Sequence, residues 1–405
     1  MTEVSYAFIL AGTIILAGFF GNIFFEKTKI PDVLVLLAIG IVLGPVSGLV
    51  SPESLQHIAE YVGSLALLVI LFEGGMDLKL DKLLSEFGSA ALLMVLSFVL
   101  TTLGIAAYFH YILGWEFNQS LMLGSILGCT SAAIVIPIIN RLNVSDEIKI
   151  TLSVESAISD VMAVVLTIAL IDAIEIGHKD PTAPFKAVVA SFSTAIVIGF
   201  VFGLIWMKVL DLMRGKKLAY MLTLGAIMIS FGTVGIMGGS GSIDVLVIGL
   251  VLGNSDSFTK FLKIKEPLQV DRSIRFLHEE ISFFIRTFFF VYLGMMFSFN
   301  ELSIDFLTLC GVMLLIIILM RFICTEITIR VYPEKAPDHF LIKLMMPRGL
   351  ASAVLATLPA AAGIAGTESF VGITFGVIIM SNIMLTVGMF FNVAGNSNVT
   401  TELET

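Results

Sequence analysis

Charge is what this chain has least of. Of its 405 residues, 14% are Asp, Glu, Lys or Arg, where an ordinary soluble domain carries roughly 25%. Hydrophobic residues make up 57% and the mean hydropathy is +1.01. So little polar material cannot cover a soluble fold of this size, and the chain reads as an integral membrane protein. There are only three cysteines. Cys129, Cys310 and Cys324 all fall in apolar runs, and an odd number inside a membrane argues against a disulfide framework. The five histidines (His57, His110, His178, His278 and His339) show no metal-ligand spacing and read as structural or interfacial. The net charge of −9 gives no sign of nucleic-acid binding. The N-terminus lacks the basic region of a cleavable signal peptide. Nothing calls for a cofactor, and no stretch is polar for long enough to form a large soluble domain.

What is there is a succession of apolar runs divided by short polar loops. About thirteen have the length a bilayer requires. They lie near 5–25, 31–49, 58–77, 87–112, 119–140, 151–175, 185–210, 218–238, 242–254, 276–299, 304–331, 340–362 and 368–393. A short polar tail without regular structure is expected after Asn392. Loop charge sets orientation. With the N-terminus outside, all but five of the 23 basic residues fall in inward loops. Lys179 and Lys186 are outward, and Arg286, Arg321 and Arg348 lie in or at the edge of spans. The C-terminus is then cytoplasmic, and the plasma membrane is the expected location.

The two halves echo one another. DVLVLLAIGIVLG from Asp32 is repeated as DVLVIGLVLG from Asp244, and FEGGM from Phe72 more weakly as VYLGM from Val291. TSAAIVIP from Thr130 corresponds in position to PRGLASAVLATLP from Pro347. An odd number of spans separates the copies, so the repeat is inverted, as in many secondary transporters. Such folds carry interrupted helices that cross near the midplane and offer backbone carbonyls and helix ends to an ion. Two spans suit that role, one holding Thr130, Ser131 and Pro137, the other Pro347, Gly349 and Pro359.

The chain is organised around TLSVESAISDVMAVVLTIALIDAI, from Thr151 to Ile174. It is long enough to cross a bilayer, yet Glu155 and Asp160 lie within its first half. A carboxylate at membrane depth is costly, so it faces a bundle interior or a wet cavity. Ser156 and Asp160 are four residues apart and share a helix face, offering hard oxygen ligands to a small cation. Glu155 and Ser159 share a neighbouring face. Arg321, deep in the span 304–331, requires a counter-ion. Glu155 is the natural candidate, and Glu326, about a turn from Arg321, competes with it. A Glu155–Arg321 pair is neutral overall and leaves Asp160 as the carboxylate free to take a proton or a cation. Glu73 ends an apolar run at FEGG and reads either as part of the mouth of the ion path or as an interfacial carboxylate beside Lys79. Arg348, after Pro347, either steadies an interrupted helix or pairs with an acid. Arg286 reads as an anchor at the inner interface.

These residues together carry a resemblance. FEGG at Phe72, the Thr130-Ser131 break, ESAISD at Glu155, the buried Arg321 and PRG at Pro347 resemble the monovalent cation/proton antiporter superfamily, and within it the NhaP-type sodium/proton exchangers. The likeness covers essentially the whole membrane domain. It implies an all-helical fold of thirteen transmembrane helices acting as a homodimer. It also implies a dimerisation part, near 1–85 and 218–300, and a mobile ion-transporting core, near 86–175 and 301–393. By resemblance, the ion is held by Asp160, Ser156, the carbonyl of Thr130 and Ser131, with Glu73 close by. Glu155 and Arg321 form the internal ion pair, supported by Ser159 and Arg348. Two positions depart from the family pattern. Ser159-Asp160 stands where Asn-Asp is usual, and Ser131 where an Asp is common. One carboxylate fewer weakens tight Na⁺ binding, leaves K⁺ open and disfavours the electrogenic branch.

The expected function is therefore electroneutral exchange of Na⁺, or Li⁺, for H⁺, with K⁺/H⁺ exchange as the alternative in the same fold. A cation-coupled symporter of an organic solute shares the fold but needs a roomier cavity and a second coupling ion. An intramembrane aspartyl protease needs two facing aspartates, whereas Asp160 and Asp172 lie on one span. A channel needs no titratable carboxylate at its midpoint.

Overall fold

A computed structural model describes residues 2–28, 31–48, 52–77, 87–142, 144–176, 183–213, 216, 218–261, 272–297 and 303–402. The described residues are mostly helical and contain no strand. In order the helices are α1 (Thr2–Thr28), α2 (Asp32–Ile41), α3 (Pro52–Asp77), α4 (Phe87–Ala107), α5 (Phe117–Gly128), α6 (Ala132–Arg141), α7 (Asp146–Ile176) and α8 (Ala183–Leu212). Then come α9 (Ala219–Ile236), α10 (Gly241–Gly253), α11 (Ser255–Phe261), α12 (Arg272–Met295), α13 (Ile304–Val331), α14 (His339–Leu344), α15 (Leu350–Ala361) and α16 (Phe370–Glu402). Among the described residues, seven helical segments are long and apolar enough to cross a membrane by length and composition, and five shorter apolar helices accompany them. Helix suits a chain in hydrocarbon, because each backbone N–H and C=O then finds its partner within the same segment.

The expected unstructured tail after Asn392 is corrected. Helix α16 continues to Glu402, and no proline interrupts the segment that follows Asn392. Lys29, Lys79, Lys82, His178, Lys179, Arg214, Lys217, Lys263 and Lys265, which entered the orientation and histidine readings, lie outside the described residues.

The repeats seen in the sequence meet each other in space with exchanged partners. Helix α2 of the first half packs on α12 of the second, and α10 of the second half packs on α3 of the first. Both crossings are made by glycines. A methyl group added at Gly40 would meet Gly294 Cα at 2.8 Å, and one at Gly249 would meet Gly75 Cα at 3.2 Å. One turn on, Gly44 lies against the backbone of Met295 and Gly253 against that of Met76. The two small-xxx-small pairs, Gly40/Gly44 and Gly249/Gly253, thus bring backbones together at equivalent points of the two halves. With no hydrophobic drive between helices in lipid, such close packing is a main source of association.

Packing separates two groups. In one, α1, α2, α3, α8, α9, α10 and α12 contact one another; in the other, α4 to α7 and α13 to α16 do. Helix α8 falls in the interval that the sequence reading left unassigned, and it packs on α10. The groups touch where α15 and α7 meet α3 and where α7 meets α8.

Two spans of the second group are broken. Between α5 and α6 the chain passes through Cys129 and Ser131 in extended conformation, with ψ 154 and 111. Between α14 and α15 it runs irregularly through Met345–Gly349. The breaks cross each other: the Ser131 amide donates to the Pro347 carbonyl at 2.9 Å. Gly349 is required at the crossing, since any side chain there would run into the Ser131 hydroxyl.

Candidate functional site

Breaking a helix inside a membrane leaves amides and carbonyls without their usual partners, and each must be satisfied. Here α7 supplies much of what the first break needs. Ser159 Oγ accepts from the Thr130 amide at 3.1 Å and lies 3.4 Å from the Thr130 carbonyl. Thr130 Oγ1 donates to Glu155 Oε1 at 3.3 Å. The Ala132 amide, the first of α6, donates to Asp160 Oδ2 at 3.3 Å. Asp160 therefore sits at the positive end of a half-helix, a place worth roughly half an elementary charge to an anion.

Arg348 serves the opposite ends. Its Nε donates to the Leu127 carbonyl at 2.7 Å, within the last turn of α5, and its Nη1 to the Met346 carbonyl at 2.9 Å. The guanidinium thus meets the negative end of one half-helix and a carbonyl freed by the other break. Helix α16 fixes Arg348 in turn: Ser381 Oγ accepts from its amide at 3.1 Å and Asn382 Nδ2 donates to its carbonyl at 2.9 Å. These contacts tie Arg348 to both interrupted helices.

Glu155 and Asp160 are five residues apart on α7 and have different surroundings. Arg321 of α13 donates to both carboxylate oxygens of Glu155, Nη1 to Oε1 at 2.7 Å and Nη2 to Oε2 at 3.1 Å. Two further donors go to Ser97 Oγ at 3.3 Å and the Ile342 carbonyl at 2.8 Å. Both side chains are sealed, Arg321 at 1% and Glu155 at 0% exposure. Bidentate geometry with further hydrogen bonds is what a buried pair needs to offset its desolvation. Glu326, the competitor for Arg321, instead pairs with Lys343 at 2.5 Å near the surface.

Among the described residues, Asp160 has no cationic partner within ion-pair distance. Its Oδ1 is buried and accepts no hydrogen bond, an arrangement that costs free energy unless something else reaches it. The carboxylate lines a cavity of about 200 Å³ at the meeting of the two helix groups. Ser131 and Ala132 share its wall on the side of α6. On the facing side are Glu73 of α3 and Ser282 and Arg286 of α12.

Of the residues singled out from the sequence, Asp160, Ser131 and Glu73 line this cavity. Ser159, Glu155, Arg321 and Arg348 stand behind it in the network just described. Ser156 is buried and shares the Asp160 face by spacing, but its hydroxyl donates to the Ser153 carbonyl of its own helix at 3.2 Å. Neither Ser156 nor Thr130 is part of the cavity lining. Glu73 lines the cavity and takes a hydrogen bond from Ser282 Oγ on its Oε2, while Lys79, its other sequence-based partner, lies outside the described residues.

Three residues were missed or placed elsewhere by the sequence reading. Ser282 was not noticed, Arg286 was read as an interfacial anchor, and Asp32 was noted only for its repeat. Arg286 in fact borders the cavity and reaches Asp32 Oδ2 at 3.5 Å. A signal existed: His278, Ser282 and Arg286 recur every four residues and so form one polar stripe along α12. His278 on that stripe is buried, 3.0 Å from the Tyr220 hydroxyl.

The fold and the site define a class: a polytopic helical membrane protein built on an inverted repeat, with two interrupted helices crossing beside a buried carboxylate. The model of the transmembrane sodium/hydrogen exchangers matches residues 12–393, and the chain belongs to that family. It is 26% identical over 364 residues to the K⁺/H⁺ antiporter NhaP2 of Shewanella sp. (strain MR-4), covering 88% of this chain and 61% of that protein. It is also 26% identical over 278 residues to Na⁺/H⁺ antiporter 1 of Methanocaldococcus jannaschii, covering 66% of this chain and 63% of that protein. The chain thus spans somewhat under two thirds of the length of these relatives. The structure of the sodium proton antiporter MjNhaP1 from M. jannaschii at pH 8 superposes with a TM-score of 0.77 at 24% identity, over 96% of both chains, and shares the fold.

Proposed function

We propose that this chain exchanges a monovalent cation for a proton across a membrane, one for one, with Asp160 taking each in turn. The observation that carries the reading is the contrast on α7: Glu155 is fully committed to Arg321, while Asp160 faces a cavity with one oxygen unsatisfied. A single carboxylate that accepts either a proton or a cation is the minimum an exchanger needs. Ser131 and Glu73 contribute further oxygens in the same cavity, and Ser156 and the Thr130 carbonyl join them once their present hydrogen bonds are exchanged for the ion.

Na⁺, with Li⁺, is the first reading for the cation. K⁺ is the second, favoured by the serine at position 131 and by the K⁺/H⁺ antiporter relatives. The helix group containing α1–α3, α8–α10 and α12 is the dimerising scaffold of a homodimer in lipid, and the group of α4–α7 and α13–α16 is the moving core. The membrane is the plasma membrane, with the N-terminus outside and the C-terminus in the cytoplasm.

The test is dequenching of a pH-sensitive dye in proteoliposomes, with Na⁺, Li⁺ and K⁺ added in turn. Proton efflux on addition of one or more of these cations is the expected result. No response to any of them, with the protein correctly inserted, overturns the reading.

A further inference from the structure

The wall of the cavity opposite Asp160 holds a positive charge that cation exchange does not call for. Arg286 borders the same space as Asp160, Glu73 and Ser131. Its compensation is thin. The contact with Asp32 is a single one at 3.5 Å, longer than the roughly 2.7–2.9 Å of a charge-assisted hydrogen bond. Its Nε is buried and has no acceptor. Asp32 opens α2, where its Oδ1 takes the Val33 amide at 3.0 Å, so only the other oxygen is turned to Arg286. Compare Arg321, whose bonds to Glu155, Ser97 and Ile342 use its Nε and both terminal nitrogens. A guanidinium tied so loosely keeps much of its field, and that field falls on the space the cation must occupy.

We propose that Arg286, moderated by Asp32, sets the affinity of the cavity for its cation, lowering it so that the ion can leave again. This rests on the exchange reading above and adds residues to it. The physical reason is simple repulsion: two unit positive charges in a partly buried site interact appreciably, and charges near the surface are screened much more. Tight binding at a single carboxylate would slow release, whereas a fixed positive charge on the facing wall raises the free energy of the occupied state. Glu73 acts in the other direction from the same wall and is held in place by Ser282. The balance between Glu73 and the Arg286–Asp32 couple decides how tightly the cavity holds its ion.

The charges give opposite signs to two substitutions. Arg286→Gln removes the positive member from the cavity lining and leaves the Asp32 charge behind it unopposed, so KM for the cation falls. Asp32→Asn frees Arg286 from its partner, so KM rises. A change of ~3–10-fold in each direction is expected, equivalent to about 0.7–1.4 kcal/mol. The double variant returns towards wild type. Arg286→Lys keeps the charge, and because the native contact is single rather than bidentate, it keeps KM within about twofold.

The experiment measures dye dequenching in proteoliposomes against cation concentration at alkaline pH, where protons compete least. It compares the wild type, the two single variants, the double variant and Arg286→Lys. Opposite shifts in KM, with a lower maximal rate in Arg286→Gln where release slows, support the proposal; loss of packing alone would lower both rates and shift KM the same way in both singles. An unchanged or raised KM in Arg286→Gln overturns it, as does an unchanged or lowered KM in Asp32→Asn. If one of the two fails to insert, the other still decides the sign. A wild type that exchanges no cation fails the exchange reading itself, whereas an active wild type without opposite shifts fails only the role of Arg286.

Discussion

Glu155 and Asp160 are the same chemistry, little more than one turn apart on one helix, and the structure treats them in opposite ways. Glu155 lies at 0% exposure with both oxygens on one guanidinium. Asp160 takes the first amide of α6 on one oxygen and lies beside the neutral Cys129 thiol, and among the described residues no ion pair reaches it. The difference teaches that depth in the membrane does not make a carboxylate functional. What matters is whether its negative charge has already been answered by the protein. An answered charge holds helices together, and an unanswered one, beside a cavity, is left for an ion.

The comparison is broken most severely by removing the unanswered charge. Asp160→Asn keeps the shape and the hydrogen bond from Ala132 but cannot switch charge. Exchange in proteoliposomes is expected to fall to the level of empty vesicles, with the detergent melting temperature at or above that of wild type. Robust exchange by this variant would end the single-carboxylate scheme.

Removing one partner of the answered pair should act on stability. Glu155→Ala or Arg321→Ala leaves a charge unpaired in the interior, a loss of typically ~3–5 kcal/mol. Melting in detergent should drop far more for either single variant than for Asp160→Asn, and the double replacement by apolar residues of similar volume should recover a good part of it. Wild-type melting of both singles would show that the pair carries no stability.

The comparison is sharpened by pH. Proton and cation compete for one carboxylate, so KM for the cation should rise with acidity once the proton is the main occupant. For a one-for-one exchange the slope approaches about tenfold per pH unit, or 1.36 kcal/mol. A KM independent of pH over several units would mean that the two ions bind at different groups.

The smallest expected effect is that of voltage. With Glu155 locked and serine at position 131, one cation crosses against one proton and no net charge moves. Potentials set with valinomycin at fixed ion gradients should alter rates by less than about twofold, although one elementary charge across 100 mV is worth about 2.3 kcal/mol. A several-fold response, or a steady current, would mean that Glu155 titrates too.

Much of this site was legible beforehand. Glu155, Asp160 and Arg321 stand out because charged residues in apolar runs are few, and the cost of burying them demands partners. The breaks were visible as Thr130-Ser131 and as Pro347-Arg348-Gly349. The repeat was visible as well, but not how it is used. Gly40 meets Gly294 and Gly75 meets Gly249 across the two halves, a pairing between stretches far apart in the sequence. The contacts of Arg286 were not visible in the sequence because its neighbours there are apolar, while in space it meets Asp32 and lines the cavity.

The sequence alone determined that the chain lies in a membrane, that it does so as helices in an inverted repeat, and that one acid and one base must meet inside it. Those follow from composition, length and period, which are local properties. Only the tertiary structure decided that Arg321 takes Glu155 and leaves Glu326 to Lys343, that Ser156 bonds to its own helix, and that α12 brings Ser282 and Arg286 to the cavity that Asp160 lines. The physical reason is that helical period fixes which residues share a face, whereas the close approach of glycine-lined backbones fixes which faces meet.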